Sequence, residues 1–436
     1  MAASYRIREY ESFTKQVNMS VTGFHVLPEK VFDSLERFVL ENKPQDDSQA
    51  WEFLSISVKY GLKVISAKNY VGVITMNDGT TIEILPKLDR ADEAETIRVF
   101  RDMLCSVKNL PYKTFKESNV MSDRMTLFEV FIRMFLDEVG KLIKRGLKFG
   151  YVYREENELF LKGRIDFNRH LKANLTHKER FYVCYDEFEA NRPENRLIKS
   201  TLRYVKQKTH DFNNLRDSRR YLMILSDVDE SDNFERDFTR CSDDRNMMEY
   251  DTVLKWCRIF LMNKSFTAFR GNDVAFALLF PMEQLFESYV TDQIRRYLDV
   301  KQYHVTAQDK RYYLFDSPRK FSLRPDIVVS NKETKTSVVL DTKWKMLSPQ
   351  HQNYGISQAD MYQMYAYHKK YKPEKVILLY PFNLSFNDSA QIIKYRADET
   401  ESVQICAAFF DLLDVKKSLK RIKELIKNDW QYDHIE

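Results

Sequence analysis

The sequence predicts a multidomain protein of mixed α+β and α/β class. We expect a β-rich N-terminal domain that also contains helices, a helical middle, and a C-terminal mixed sheet flanked by helices. Two observations lead to this fold class. The chain has 436 residues, which suits two or three domains. Strand-like apolar runs occupy its first and last thirds, and helical periodicity dominates between them. The expected domains are residues 1–165, 166–265 and 266–436.

Short strands characterise the first domain. Residues 70–76 and 81–85 flank the pair Asp78-Gly79, and Asp-Gly is a strong hairpin signal. Amphipathic helical periodicity follows at residues 96–106 and 125–144. We predict no catalytic chemistry for the first 165 residues.

The helical middle is predicted from the periodicity of residues 195–208 and 247–262.

The net charge is only +5, from 69 basic and 64 acidic residues, so the chain lacks a strongly basic coat for nucleic acid. Three helices nevertheless carry basic clusters, which we interpret as solvated faces rather than as DNA-binding surfaces. The clusters are Lys141, Lys144, Arg145 and Lys148; Lys199, Arg203, Lys206 and Lys208; and Lys416, Lys417, Lys420, Arg421, Lys423 and Lys427.

A β-hairpin is predicted in the last third of the chain. Residues 322–330 and 337–345 hold β-branched apolar runs, and a polar turn segment separates them. Side chains alternate across a strand, so Asp341 and Lys343 share one face, whereas Thr342 and its alternate neighbours point to the other. In a hairpin of this length, Asp326 near the start of one strand lies close to Asp341 near the end of the other.

Helices and strands flank this hairpin. Residues 280–290 open a helix at Pro281, and its Glu283 and Glu287 lie one turn apart. After the hairpin, Ser357 is placed to cap a helix on which Gln363 and Tyr367 also lie one turn apart. Buried strands are then expected at residues 375–380 and 403–411. This order of helix, hairpin, helix, strand and strand is typical of a mixed sheet with helices on its faces.

The residue types at the hairpin suit one kind of chemistry. Magnesium takes few protein carboxylates, keeps several waters and completes its coordination with phosphate oxygens. Asp326, Asp341 and Lys343 meet that demand. An acid-x-Lys triplet alone has little weight, because Asp299-Val300-Lys301 and two similar triplets also occur. The alternative is that Asp341 and Lys343 form a solvated ion pair at the end of a strand.

Further motifs connect the chain to a known family. Residues 280–410 resemble the PD-(D/E)xK nuclease core, including a Gln-x-x-x-Tyr helix of the kind seen in RecB-like members. Other motifs lie at residues 71–74, 82–87, 161–167, 185–188 and 195–199. Together, over roughly residues 70–410, they resemble McrC, the nuclease subunit of McrBC-type, 5-methylcytosine-specific restriction systems. The resemblance implies a restriction-endonuclease-like C-terminal domain.

The resemblance also implies an activity and partners. It implies a magnesium-dependent DNA endonuclease subunit in antiviral defence, acting on double-stranded, modified DNA. It further implies that the N-terminal region docks onto a hexameric AAA+ GTPase of the McrB type and stimulates its GTP hydrolysis. The alternative from another class is a catalytically silent adaptor that regulates this GTPase. A third possibility is a stand-alone DNA-binding module.

The expected site residues follow from the hairpin and its flanking helices. Asp326, Asp341 and Glu287 are the expected ligands of Mg²⁺, for which Mn²⁺ should substitute, and Glu283 is the weaker alternative to Glu287. Lys343 is expected to orient the attacking water or to offset charge on the phosphoryl oxygens. Gln363 and Tyr367 are expected to position the phosphate or the lysine.

Several signals are absent from the sequence. No Gly-x-x-x-x-Gly-Lys-Ser/Thr loop occurs, so we do not expect the chain itself to bind or hydrolyse a nucleoside triphosphate. The five cysteines show no paired spacing that would indicate zinc or a disulfide framework. No long apolar span is present, and we expect a cytoplasmic, bacterial protein without membrane contact.

Overall fold

The computed structural model describes residues 3–16, 23–41, 53–76, 78, 80–106, 126–241, 248–262, 274–386, 393–396 and 404–427. The chain folds into two compact units. The first combines Met1–Arg124 with Phe269–Glu436, and the second is Met125–Ala268. The mixed α+β, multidomain class predicted from the sequence is therefore confirmed, but this division differs from the three consecutive domains predicted at residues 1–165, 166–265 and 266–436.

The N-terminal part of the first unit is rich in strands. Its elements are β1 (Ser4–Arg8), β2 (Ser12–Thr14), β3 (Phe24–Val26), α1 (Glu29–Glu41), β4 (Leu54–Lys59), β5 (Leu62–Ala67), β6 (Tyr70–Met76), β7 (Thr81–Leu85) and α2 (Glu93–Ser106). One sheet has the order β3-β2-β5-β4. Strands β6 and β7 form the predicted antiparallel hairpin. Its turn residues Asn77 and Gly79 lie outside the described residues.

The second unit combines helices with a small sheet. Its elements are α3 (Leu127–Arg145), β8 (Gly150–Glu158), β9 (Arg164–Ile165), α4 (Phe167–Ala173), β10 (Phe181–Glu189), α5 (Pro193–Lys208), α6 (Phe212–Ile224), α7 (Phe234–Arg240) and α8 (Met248–Met262). Phe131 and Phe135 of α3 pack with Trp256 and Phe260 of α8 in its core. The middle was expected to be helical, but β10 pairs with both β8 and β9. Charged residues along β10 hide this strand from an apolar pattern.

The C-terminal part of the first unit contains the predicted mixed sheet. Its elements are β11 (Val274–Pro281), α9 (Met282–Tyr297), β12 (Tyr303–Ala307), β13 (Tyr313–Asp316), β14 (Arg319–Ser322), β15 (Ile327–Asn331), β16 (Ser337–Thr342), a 3₁₀ turn (Gln352–Gly355), α10 (Gln358–Tyr371), β17 (Lys375–Pro381), β18 (Ile393–Arg396), β19 (Gln404–Phe410) and α11 (Val415–Lys427). Within the described ranges, six strands form one sheet in the order β12-β15-β16-β17-β19-β18.

The hairpin at the centre of this sheet was predicted from the sequence. Strands β15 and β16 pair antiparallel, with Ile327 opposite Leu340, and β17 and β19 continue the sheet in parallel. Helix α10 covers one face, where Met364 and Tyr367 pack with Val328, Val339 and other buried residues. The predicted order of helix, hairpin, helix, strand and strand corresponds to α9, β15–β16, α10, β17 and β19. Sequence patterns did not predict β12, β13, β14 or β18.

Strand β11 explains why the division into units differs from the predicted domains. It pairs antiparallel with β6, giving the sheet order β1-β7-β6-β11, with Leu279 opposite Gly72. Gly72 has φ +143°, and a Cβ at this position would lie 2.0 Å from the carbonyl oxygen of Leu278. Only glycine permits this close approach. The chain thus returns to its N-terminal sheet after the second unit has been completed.

In the described part of the chain, no helix combines the length and apolar character needed to cross a bilayer.

Candidate functional site

The end of the β15–β16 hairpin brings two aspartates together. The pairing of Ile327 with Leu340 places Asp326, the residue before β15, across from Asp341 on β16. The side chain of Asp341 is buried, with 1% of its residue surface exposed. Asp326 is half-buried, and its Oδ2 accepts hydrogen bonds of 2.7 Å from both the backbone N–H and the hydroxyl of Thr342. The sequence pattern therefore predicted the proximity of the aspartates, but it missed the contact of Thr342.

Lys343 lies between β16 and α10. Its backbone N–H donates to the carbonyl of Leu379 at 2.9 Å, which extends the pairing with β17 beyond the end of β16. Its Nζ lies 2.9 Å from Asp341 Oδ2 and donates to Gln363 Oε1 at 3.0 Å. A third contact, 3.8 Å long, joins Nζ to Asp360 Oδ1. Asp360 was not among the predicted site residues.

Helix α10 orients this lysine through a chain of hydrogen bonds. The N-cap Ser357 accepts a hydrogen bond from Asp360 N, as predicted for this cap. One turn apart, Gln363 Nε2 donates to the hydroxyl of Tyr367 at 2.7 Å. The ammonium of Lys343 can only donate, so it takes the amide oxygen of Gln363 and leaves the amide nitrogen for the buried Tyr367. The structure thus brings Gln363 and Tyr367 to the site.

Helix α9 contributes Glu287 through a bridging glutamine. Gln308 Nε2 donates to Glu287 Oε1 at 2.7 Å and to Asp326 Oδ1 at 3.0 Å. Glu283, the alternative acid, instead accepts from Asn69 Nδ2 at 3.3 Å. The cluster therefore contains Glu287 rather than Glu283. Gln308 was missed because its sequence neighbourhood carries no motif.

Burial and mutual repulsion disfavour the charged forms of the aspartates. Burial raises the pKa of Asp341 to about 7, and the charge of Asp326 adds to the increase while Lys343 opposes it. Burial is the main reason that the pKa of Asp326 rises to about 6, and the negative charge of Glu287 adds to the increase. Burial opposes the charged form of Lys343, but Asp341, Asp360 and Asp326 outweigh it and raise the pKa of Lys343. Both aspartates therefore hold a proton more tightly than isolated aspartates do, and Lys343 keeps its positive charge more firmly than an isolated lysine.

The donor set fits a hard divalent cation in chemical type. Within the described ranges, no three His, Cys, Asp or Glu side chains are arranged as a ready metal-binding group. However, Asp341 Oδ2 is buried and accepts no hydrogen bond from any described residue, although it forms the ion pair with Lys343. The Gln308 amide also stands between two carboxylate oxygens. Carboxylate oxygens are the ligands that Mg²⁺ and Mn²⁺ prefer.

The basic cluster predicted on α5 is partly engaged in internal contacts. Lys199 Nζ donates to the carbonyls of Ser226 and Val228, and Arg203 forms an ion pair with Glu230. These contacts agree with the interpretation of this cluster as a helix face rather than as a DNA-binding surface.

A buried glutamate supports the strand end that carries Lys343. Trp344 Nε1 donates to both carboxylate oxygens of Glu9, at 3.1 and 3.2 Å, and Lys87 N donates to Glu9 Oε2 at 3.1 Å. Glu9 is fully buried, and burial raises its pKa to about 8 against the lowering effect of these hydrogen bonds. The folded chain therefore holds a proton on Glu9 more tightly than the unfolded chain does.

This difference gives a testable pH dependence. The contribution of protonated Glu9 to the free energy of unfolding is fully present below the unfolded pKa of 4.5. It is lost as the pH rises through the folded pKa of about 8. We expect Glu9→Gln to remove this loss. Between about pH 5 and pH 7.5, the free energy of unfolding should fall by roughly 3 kcal/mol more in the parent chain than in Glu9→Gln. Urea denaturation across this range measures it.

The control for this experiment is Glu29→Gln, because the Glu29 side chain in the same unit is 75% exposed. That variant should keep the pH dependence of the parent chain. Equal pH slopes for the parent chain and Glu9→Gln would contradict the expectation.

Comparisons with known proteins locate the chain in a family. A family model described as "McrBC 5-methylcytosine restriction system component" matches residues 65–381. A solved structure of a half-complex from a tetradecameric assembly of Thermococcus gammatolerans McrB AAA+ hexamers with bound McrC is similar over 97% of this chain and 100% of the matched chain, with TM-score 0.68 and 18% identity. The T. gammatolerans McrBC complex also matches, over 68% of this chain and 88% of the other, with TM-score 0.49 and 18% identity. No curated protein matches.

These findings correct the assignment made from the sequence resemblance. That resemblance was to McrC and implied a DNA endonuclease subunit, with a catalytically silent adaptor as the alternative. The matching family model is that of McrBC restriction system components. The solved structure that is similar over 97% of this chain is a half-complex of McrB AAA+ hexamers with bound McrC. The assignment to McrC, the endonuclease activity and the adaptor alternative are therefore replaced by assignment to McrBC. At 18% identity, the structural likeness shows the fold alone.

Proposed function

The chain belongs to the McrBC family of 5-methylcytosine restriction system components, and from this premise we propose that its hairpin carries a divalent-metal centre for the hydrolysis of phosphate esters. One observation carries the proposal. Asp326 and Asp341 meet the ammonium of Lys343 at the end of one hairpin, and Gln308 joins Glu287 of α9 to Asp326. In this proposal the six-stranded sheet is of the PD-(D/E)xK type.

Asp326, Asp341 and Glu287 would hold Mg²⁺, and Mn²⁺ would substitute for it. When bound, the ion would supply Lewis-acid polarisation of a phosphoryl oxygen and lower the pKa of a coordinated water. The protein prepares for this role by excluding solvent from Asp341. Thr342 holds Asp326 through two hydrogen bonds, so that its other oxygen faces Glu287 across Gln308.

In addition to the proposed metal ion, the ammonium of Lys343 supplies positive charge at the site. Its Nζ is held between Asp341 and Gln363, and a fixed ammonium at this point offsets negative charge that develops on a phosphoryl group. Gln363 and Tyr367 position the ammonium without needing to touch the phosphate. Because the contacts of Lys343 come from both β16 and α10, its head group needs little reorganisation before reaction.

The proposed partners follow from the family and the composition. We propose a hexameric AAA+ GTPase of the McrB type as the protein partner and double-stranded, modified DNA as the nucleic-acid partner. A net charge of only +5 supports shared contact with a polyanion rather than binding by this chain alone. The sequence lacks a glycine-rich phosphate loop, so we assign the proposed hydrolysis to the carboxylate centre rather than to a nucleoside-triphosphate loop.

Manganese binding tests the proposal without requiring a substrate. Calorimetric titration of the purified chain with Mn²⁺ should show saturable uptake, and Asp341→Asn should weaken it at least about tenfold, because a charged ligand is replaced by a neutral one. Asp316→Asn is the control, because that side chain in the same unit is 81% exposed. Absence of Mn²⁺ uptake by the parent chain would overturn the metal centre.

A substrate panel then tests the chemistry. We would supply DNA with and without 5-methylcytosine, and GTP, in Mg²⁺ with and without an AAA+ partner. Phosphate-ester hydrolysis that is lost with Asp341→Asn supports the proposal. If Asp341→Asn hydrolyses the phosphate ester as fast as the parent chain does, the reaction takes place at another site.

A further inference from the structure

The contacts of Gln308 suggest a function that goes beyond support of the fold. The residue follows β12, and its backbone N–H donates to the carbonyl of Asp326 at 2.9 Å. Its backbone has φ +49°, in the left-handed region that residues other than glycine seldom adopt. This backbone position directs the amide toward Glu287 and Asp326, with Nε2 donating at 2.7 and 3.0 Å.

The chemistry of these contacts resembles that of a bound cation. An amide nitrogen carries two hydrogens, and here each points at an oxygen of a different carboxylate. Both carboxylates are among those that would hold a divalent ion in the proposed function. Each N–H group occupies a lone pair of its carboxylate oxygen, so an ion that takes those lone pairs must displace the amide.

We infer that Gln308 is a displaceable occupant of the proposed metal position, which holds Glu287 and Asp326 together and weakens metal binding until it leaves. This inference rests on the proposed metal centre. The side chain is exposed, so it can swing into solvent without disturbing a core. Its backbone stays anchored to Asp326, and the amide can therefore return when the ion dissociates.

Mn²⁺ titration of Gln308 variants tests the inference. Gln308→Met keeps the length of the side chain but removes the donor, and Gln308→Ala removes the whole amide arm. Hydrogen bonds to charged groups are among the stronger ones in proteins, so we expect both variants to bind Mn²⁺ about tenfold more tightly than the parent chain. The matched control is Gln302→Met, a glutamine before the other end of β12, which should leave the affinity unchanged.

The outcomes separate this inference from the proposed function. Tighter binding by Gln308→Met and Gln308→Ala, with retained circular dichroism, supports displacement. Unchanged affinity overturns it, and weaker binding would make Gln308 a ligand instead. If the parent chain binds Mn²⁺ through Asp341 but Gln308→Met has no effect, only this inference fails. If neither the parent chain nor the Gln308 variants take up Mn²⁺, the metal centre fails and the inference fails with it.

Discussion

Hydrolysis by the Lys343→Met variant is expected to be about 10²- to 10³-fold slower than by the parent chain, because a preorganised charge that stabilises the transition state is lost. Methionine keeps most of the apolar stem of the lysine and removes only the ammonium. The substrate is whichever phosphate ester the panel identifies. Single-turnover rates at saturating Mg²⁺ measure the effect and separate chemistry from substrate binding.

The same variant should bind Mn²⁺ more tightly than the parent chain. The ammonium lies 2.9 Å from Asp341 Oδ2 and competes with a cation for this carboxylate. Slow hydrolysis with strong metal binding therefore distinguishes a missing catalytic charge from a collapsed site. Lys335→Met, in the exposed turn between β15 and β16, is the matched control and should change neither quantity. Normal hydrolysis by Lys343→Met would remove Lys343 from the proposed mechanism.

The second large effect concerns the stability of the second unit. Glu129 of α3 is buried, and its Oε2 accepts from the hydroxyl of Thr209 at 2.6 Å and from Asn214 Nδ2 at 2.8 Å. Its Oε1 accepts from His210 N at 2.6 Å and from Asp211 N at 3.3 Å. One carboxylate thus satisfies donors that lead into α6.

Glu129→Ala is expected to lower the free energy of unfolding of this unit by about 4 kcal/mol, because several buried donors lose their acceptor at once. Hydrogen exchange of the α3 and α6 amides in the intact chain measures the loss where it arises. Glu129→Gln should lose less, since one amide oxygen remains. Glu235→Ala, an exposed glutamate of α7, is the control. A loss below about 1 kcal/mol would show that water replaces the carboxylate at little cost.

Local patterns predicted the parts of the fold that depend on neighbouring residues. The apolar runs of β15, β16 and β17, the Ser357 cap and the alternation that joins Asp341 to Lys343 are all short-range features. Strand β11 was not predicted, because its partner β6 lies far away in sequence. Without this pairing, the apolar residues 274–281 indicate no particular neighbour, and the boundary of the first unit could not be predicted.

The candidate site shows the same limit at the scale of side chains. Asp326, Asp341 and Lys343 belong to one hairpin, and the spacing of its strands brings them together. Gln308 reaches Asp326 only because β12 pairs with β15. Glu287 reaches the cluster from α9 through that same glutamine. The choice between Glu287 and Glu283 was therefore open in the sequence, because both lie on one helix and only tertiary packing separates them.

The pairing of β11 with β6 also determines when the first unit can be completed during synthesis. Strand β6 is complete once the ribosome has added Met76. Its partner β11, which pairs with the free edge of β6, begins only at Val274. Throughout this interval, the nascent chain exposes backbone N–H and C=O groups along β6, and such an uncovered strand readily pairs with other chains. A fragment that stops at residue 165 keeps this exposed strand permanently, whereas one that starts at residue 266 carries β11 without its partner. The N-terminal sheet therefore requires the whole intervening polypeptide before it can be closed.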